Sequence, residues 1–162
     1  MAGLPGASED KQRGQGFRGK LAECGIDLIA PAAANWSPSE IEGRQIMEGW
    51  LKESTDVQGV FAHNDEMALG AIKAIQEAGL KPAIDIKIVS IGGSRDGLYS
   101  LVEGRMNTIV EHNPLIGPQV YEAALRALNG ETLPAWIKID EEIYRAEDED
   151  LEQIIIERYP EL

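Results

Sequence analysis

Apolar positions along this chain change their spacing in a regular rhythm, from short continuous runs to helical spacing and back. The runs Ile26–Ala30, Val57–His63, Ile86–Ile91 and Asn107–Glu111 predict strands, and a shorter one follows around Trp136–Ile139. Helical patterns lie between them. The first starts with Ser8 as its cap, turns Phe17 and Leu21 inward and is closed by Gly25. In Ser37-Pro38-Ser39-Glu40, Ser37 caps, Pro38 takes the first helical position and Glu40 completes a capping box for a helix reaching Glu53. Further helices run from Asp65 to Ala78 with Gly79 as terminator, from the Gly92–Gly97 loop to Glu103, from Asn113-Pro114 to Asn129-Gly130, and from Asp150 to Arg158.

Strands separated by helices of this length pair in parallel with right-handed crossovers. The predicted class is therefore α/β, an open, doubly wound, mostly parallel sheet. In such sheets ligands bind beyond the carboxyl ends of the strands, which directs attention to the strand-to-helix junctions. Four of these carry chemistry: Ala33-Ala34-Asn35-Trp36, His63-Asn64-Asp65, Gly92 to Asp96, and Glu111-His112-Asn113. They are expected to converge on one edge.

Composition narrows the function. The 162 residues, 43% hydrophobic and 27% charged, fit one globular domain. A formal charge of -13, with no run among the Lys and Arg residues, argues against nucleic acid, whose phosphates need a concentrated basic face. Cys24 is the only cysteine, so no intrachain disulfide forms, and no Cys/His spacing makes a zinc site; no metal or cofactor is expected. No stretch is apolar enough to span a bilayer, and MAGLPGASEDKQRG holds no hydrophobic signal core, so the chain as written is expected to stay in the cytoplasm.

Asn64 and Asp65 admit two readings. Either residue can cap the following helix, with Glu66 favouring its positive end, and that needs no ligand. Alternatively, Asn64 presents a donor and an acceptor to a polyhydroxylated ligand. Spacing alone favours the cap. An enzyme is the rival class, with His63, Asp65 and Glu66 as one proton-transfer cluster and Glu111 with His112 as another. No Ser or Cys nucleophile sits in an elbow, no glycine-rich phosphate loop occurs, and the two histidines lie on separate junctions. The expectation is a non-enzyme in which His63 is a packed neutral imidazole.

The segment GVFAHNDEMALGAIKAIQEAGL resembles the one that follows the ligand-contacting strand in periplasmic sugar-binding proteins of the ribose- and galactose-binding type. The likeness continues through KIVSIGGSRDG, EHNPLIGPQVYEAALRALNGE and IKIDEEIYRAEDED, and upstream Arg13-Gly14-Gln15-Gly16-Phe17 matches the Arg-x-x-Gly-aromatic motif. The tail and Glu111-His112-Asn113-Pro114 look most like the galactofuranose-type subgroup. The resemblance implies one incomplete lobe of the type I periplasmic-binding-protein fold, beginning just after the first strand of the second lobe. Residues 1–112 are then a partial C-terminal sugar-binding lobe. Residues 113–162 are a hinge-crossing helix, strand and tail that pack partly on the absent N-terminal lobe. The implied function is monosaccharide binding within an ABC sugar uptake system, with a permease as partner and a periplasmic or extracytoplasmic setting for the family. The alternative is the effector domain of a lac-repressor-type regulator, which shares the fold.

The same resemblance assigns contacts. Arg13 is similar to the arginine whose planar fork grips adjacent sugar hydroxyls, its bland alternative being a surface arginine on a first helical turn. Trp36 matches the aromatic that stacks on the sugar's apolar face, or else packs on its own helix. Asn64 carries the amide contact while Asp65 remains the cap. Glu111 stands near a polar position that reaches the ligand from a crossing strand, and Asn113 is the substitute for that role. Gly92 departs from the pattern, because sugar-binding relatives place an aspartate acceptor there, and Asp96 is expected to cap the next helix rather than replace it. One lobe alone should bind weakly. Self-association is expected, through the amphipathic helix from Pro114 to Asn129, whose apolar stripe requires cover, or by strand exchange; the alternative is that the helix folds back onto its own domain or frays.

Overall fold

The apolar runs pair side by side in chain order. The structure, a computed structural model, describes residues 1–29, 31–33, 39–53 and 56–158. Its sheet contains β1 (Gly59–Ala62), β2 (Lys87–Gly92), β3 (Thr108–Glu111) and β4 (Ile143–Arg145) in that order. β1, β2 and β3 are parallel, with Ala62 beside Ser90 and Gly92 beside Glu111, so all three end at the same edge. β4 runs antiparallel along the outside of β3.

Alternation along each strand separates two faces. Val60, Ala62, Ile88, Ser90 and Ile109 are buried on one, beneath the crossover helices α3 (Asp65–Glu77) and α4 (Arg95–Val102). Met67, Ala68, Ala71, Ile72 and Ile75 supply the inward stripe of α3, and each fully buried isoleucine contributes about 1.5–3 kcal/mol. On the other face Phe61 is half-buried and stacks on Phe17 of α1 (Ser8–Cys24), ring centroids 4.3 Å apart. The remaining helices are α2 (Ser39–Glu53), α5 (Gly117–Leu128) and α6 (Leu151–Arg158).

The most extensive packing joins α2 to α3. Two helical glycines bring these backbones together: a Cβ on Gly43 would lie 2.7 Å from Met67 Cα, and one on Gly70 would lie 2.7 Å from the Arg44 amide nitrogen. By contrast, among the described residues, α1 packs extensively on no other named element, and Gly14 is its sole buried residue. No residue of α5 is buried; Val120, Tyr121, Leu125 and Leu128 are all exposed.

Several expectations need correction. Residues 26–29 form no strand, and Ile26, Leu28 and Ile29 are exposed. A strand needs a partner, and among the described residues the neighbouring segment Met1–Gly3 meets this stretch at Ala32–Ala33, through Ala2 N–H to Ala32 O at 2.7 Å. That segment, although it forms no strand of the sheet, is also fastened to β1. Met1 donates to Phe61 O and accepts from His63 N–H, so residues 1–3 lie along the free edge of β1. Residues 136–139 are not a strand either; β3 pairs with Ile143–Arg145 instead, where Tyr144 is buried, while Trp136 stays exposed. The helix expected from Pro114 starts at Gly117, after an Asn113 side-chain turn onto the Leu115 amide. Ser8 caps nothing, because the N-cap of α1 is Ala7 and the Ser8 hydroxyl donates to Glu9. The capping box at Ser37–Pro38 and the residue Trp36 lie outside the described residues.

Candidate functional site

β1, β2 and β3 deliver their following loops to one edge, and α1 reaches over it. Together they enclose an open groove of about 330 Å³, within the ~300–1,000 Å³ of typical small-molecule sites. Glu9 and Arg13 enter from α1, Asn64 and Asp65 from the start of α3, Ser94 from the start of α4, and His112 from just beyond β3.

Asn64, not Asp65, is the N-cap of α3. Its Oδ1 accepts from Met67 N–H at 2.8 Å, and its Nδ2 donates to Ser39 Oγ at 3.3 Å. A carboxamide offers two protons and two lone pairs, so one donor and one acceptor position remain for a ligand. The cap and ligand readings of Asn64 are therefore compatible.

Asp65 has a different task. It is buried, with Oδ1 accepting from Ser90 Oγ at 2.5 Å and Oδ2 accepting from the amides of Gly93 at 2.8 Å and Ser94 at 2.7 Å. The carboxylate thus ties the β2–α4 loop to the first turn of α3. Two glycines make room for it: a Cβ on Gly92 would lie 2.5 Å from Oδ2, and one on Gly97 would lie 2.6 Å from the same atom. Ser94 then caps α4 through Gly97 N–H, and Asp96, expected as the cap, sits in the first turn instead.

Arg13 is half-buried and donates to His63 O at 2.6 Å. Burial draws the guanidinium below its ordinary pKa, opposed by the carboxylates of Glu9 and Glu141. His63 is buried, its Nδ1 accepting from Gly3 N–H at 3.3 Å and its ring edge-on to Phe61. Burial first, and then the positive charges of the Met1 amine, Arg13 and Arg18, push its pKa down to about 4, against Asp10. The imidazole is neutral at pH 7, so the 3.8 Å approach of Asp10 to Nδ1 is not an ion pair there.

Glu111 is buried and turns away from the groove, accepting from Tyr144 O–H at 3.2 Å and Glu142 N–H at 3.1 Å. Asn113 does not line the groove; its amide donates to Asp140 O. Of the five residues singled out from the sequence, the structure brings Arg13 and Asn64 together. Glu9, Glu66, Ser94 and His112 also line the groove, and none had been assigned to a ligand. For Glu9 the signal was available: it precedes Arg13 by four residues, which places both on one helical face. Hydrogen bonds from its own backbone and Ser8, with Arg13 and His112 nearby, keep its carboxyl below the usual range. Among the described residues no cluster of His, Cys, Asp and Glu could hold a metal, and no helix is long and apolar enough to cross a membrane.

This sheet, with a groove at its carboxyl edge, is the architecture of one lobe of a solute-binding protein. Residues 1–132 match the family model described as periplasmic binding protein domain, and the chain belongs to that family. It is 34% identical over 148 residues to the fructose import binding protein FruE of Bifidobacterium longum, covering 90% of this chain and 44% of that one. It is 35% identical over 145 residues to the ribose import binding protein RbsB of Bacillus subtilis, covering 86% and 45%. A Mycobacterium smegmatis protein solved in complex with β-D-fucofuranose superposes with a TM-score of 0.83 at 32% identity, over 99% of this chain and 51% of that one. The chain spans about half the length of the relatives it matches.

Proposed function

We propose that this chain holds a monosaccharide in the strand-end groove, as part of the binding component of an ABC sugar uptake system, and performs no turnover. The observation that carries the reading is the placement of Arg13 and Asn64 on one groove, in a chain whose relatives are named as sugar import binding proteins. A guanidinium fork suits adjacent hydroxyls, and a half-used carboxamide supplies one donor and one acceptor beside it. Trp36 is proposed as a further contact. Glu111, in this reading, acts from behind by pinning the strand that carries His112.

Gly92 leaves the groove without the acceptor expected there, and the nearest carboxylate, Asp65, is engaged by three donors. A hydrogen bond to a charged group is worth roughly 1.5–3 kcal/mol, so its lack weakens binding by about tenfold or more. We further propose that residues 1–112 form the sugar-binding part. The apolar face of α5 would dock on the other lobe of a longer protein, and on a second copy when that lobe is missing. The partner is an ABC permease and the setting extracytoplasmic, as for the family. Calorimetric titration with a panel of pentoses and hexoses tests the reading. The expected Kd is about millimolar or weaker, and Arg13→Ala should weaken it by about tenfold. Micromolar affinity for any monosaccharide, or binding indifferent to Arg13→Ala, would contradict it.

A further inference from the structure

Helix α1 carries Arg13 into the groove, and among the described residues Gly14 is the one residue it buries and no other named element packs extensively on it. Contacts of α1 meet at two residues on one face of the β1 end, Phe61 and His63. Phe17 stacks on Phe61, the ring of Phe61 meets His63 edge-on, and the Arg13 guanidinium donates to His63 O. The segment leading into α1 is fastened there too, by Gly3 N–H to His63 Nδ1 and by His63 N–H to Met1 O. From this convergence we infer that His63 is a positioning residue, whose neutral imidazole holds the Gly3 segment and α1 so that Arg13 is presented to the ligand.

The chemistry is specific to the protonation state. Unprotonated Nδ1 accepts the Gly3 amide. Protonated, it is a donor, loses that bond, and gains a positive charge facing the Met1 amine, Arg13 and Arg18, with Asp10 opposing them. The native pKa, lowered to about 4 from 6.5, sets the direction. The unfolded or unseated histidine takes up its proton first, so the seating is intact above pH 6.5 and is lost as the pH falls from 6.5 through 4. The Met1 amine, pushed down to about 6 by burial, charges over the same range and must be separated from His63.

His63→Gln makes that separation, because its side-chain oxygen accepts the Gly3 amide at every pH and the Met1 amine is retained. The seating is read without ligand, from the hydrogen-exchange protection factors of Gly3 and the α1 amides in the full chain. His63→Ala should lower protection by about tenfold at pH 7, the equivalent of one lost hydrogen bond. His63→Gln should keep it at pH 7 and at pH 4.5, whereas the wild type loses it at the lower pH. Wild type and His63→Gln following the same pH course would overturn the inference, as would full protection in His63→Ala.

The effect on binding rests on the sugar-binding reading and is measured separately, with L-arabinose and D-galactose as probes. His63→Ala and Arg13→Ala should weaken a bound probe by equal factors, and the double variant by no more than either alone. Additive losses would overturn the action through Arg13. Failure of both probes to bind the wild type would count against the sugar-binding reading, while the exchange measurement would still decide the role of His63.

Discussion

At the junction of β1 and α3, two adjacent polar residues divide the work between them. Asn64 satisfies the first turn of the helix and keeps half its amide for the groove, while the buried Asp65 fixes the loop that forms the groove's floor. The cap was legible in the sequence, because the Asn-Asp pair precedes an amphipathic run. Which residue capped was not, and neither was the task of Asp65. Its partners Ser90, Gly93 and Ser94 lie on another junction, and only folding brings them within reach. Gly92 and Gly97 were the available clue, since side chains at both positions would meet this carboxylate. Asp65→Asn keeps the shape but replaces an all-acceptor group with one that must turn a donor toward Ser90 or toward the two amides. It should cost about 2–4 kcal/mol in urea denaturation, and a change below ~0.5 kcal/mol would remove Asp65 from the account.

At the scale of elements, the three parallel strands were legible, whereas β4 was not: the run expected at 136–139 stays unpaired and Ile143–Arg145 pairs with β3. β1, β2 and β3 follow the apolar runs closely. The run at 26–29 is also mostly apolar and forms no strand, because hydrophobic patterning reports the face a strand would bury and not the presence of a hydrogen-bonding partner. The contact of α2 with α3 was hidden in residues that looked unhelpful, since interior glycine lowers helix propensity by about 1 kcal/mol relative to alanine. Gly43 and Gly70 are where the two backbones touch. Gly70→Ala should therefore destabilise the fold by about 1–3 kcal/mol despite the better propensity. Gly49→Ala, in the same helix pair but with open space around its Cβ position, should stabilise by up to ~1 kcal/mol. Equal thermal shifts for the two variants would show that the helices are not in backbone contact.

For the whole molecule, patterning pointed to the strand-end edge and to a helix whose apolar stripe requires cover, and the resemblance added that the chain is like one lobe of a two-lobed fold. Helix α5 buries none of its residues, and Leu115 and Trp136 are exposed as well. Apolar patches of this kind rarely stay bare in soluble monomers. The chain alone should self-associate with rising concentration in light scattering. A monomer at high concentration with α5 protected from hydrogen exchange would show that it covers this face by itself. The central claim is that the carboxyl edge of the sheet is a sugar site, and the most direct measurement is a backbone-amide NMR titration with L-arabinose, D-galactose and D-ribose. At least one should shift the resonances of Arg13, Asn64, Gly92, Ser94 and His112 together, saturating at about millimolar concentration. Shifts confined to another part of the chain, or none at this edge with any of the three, would contradict it.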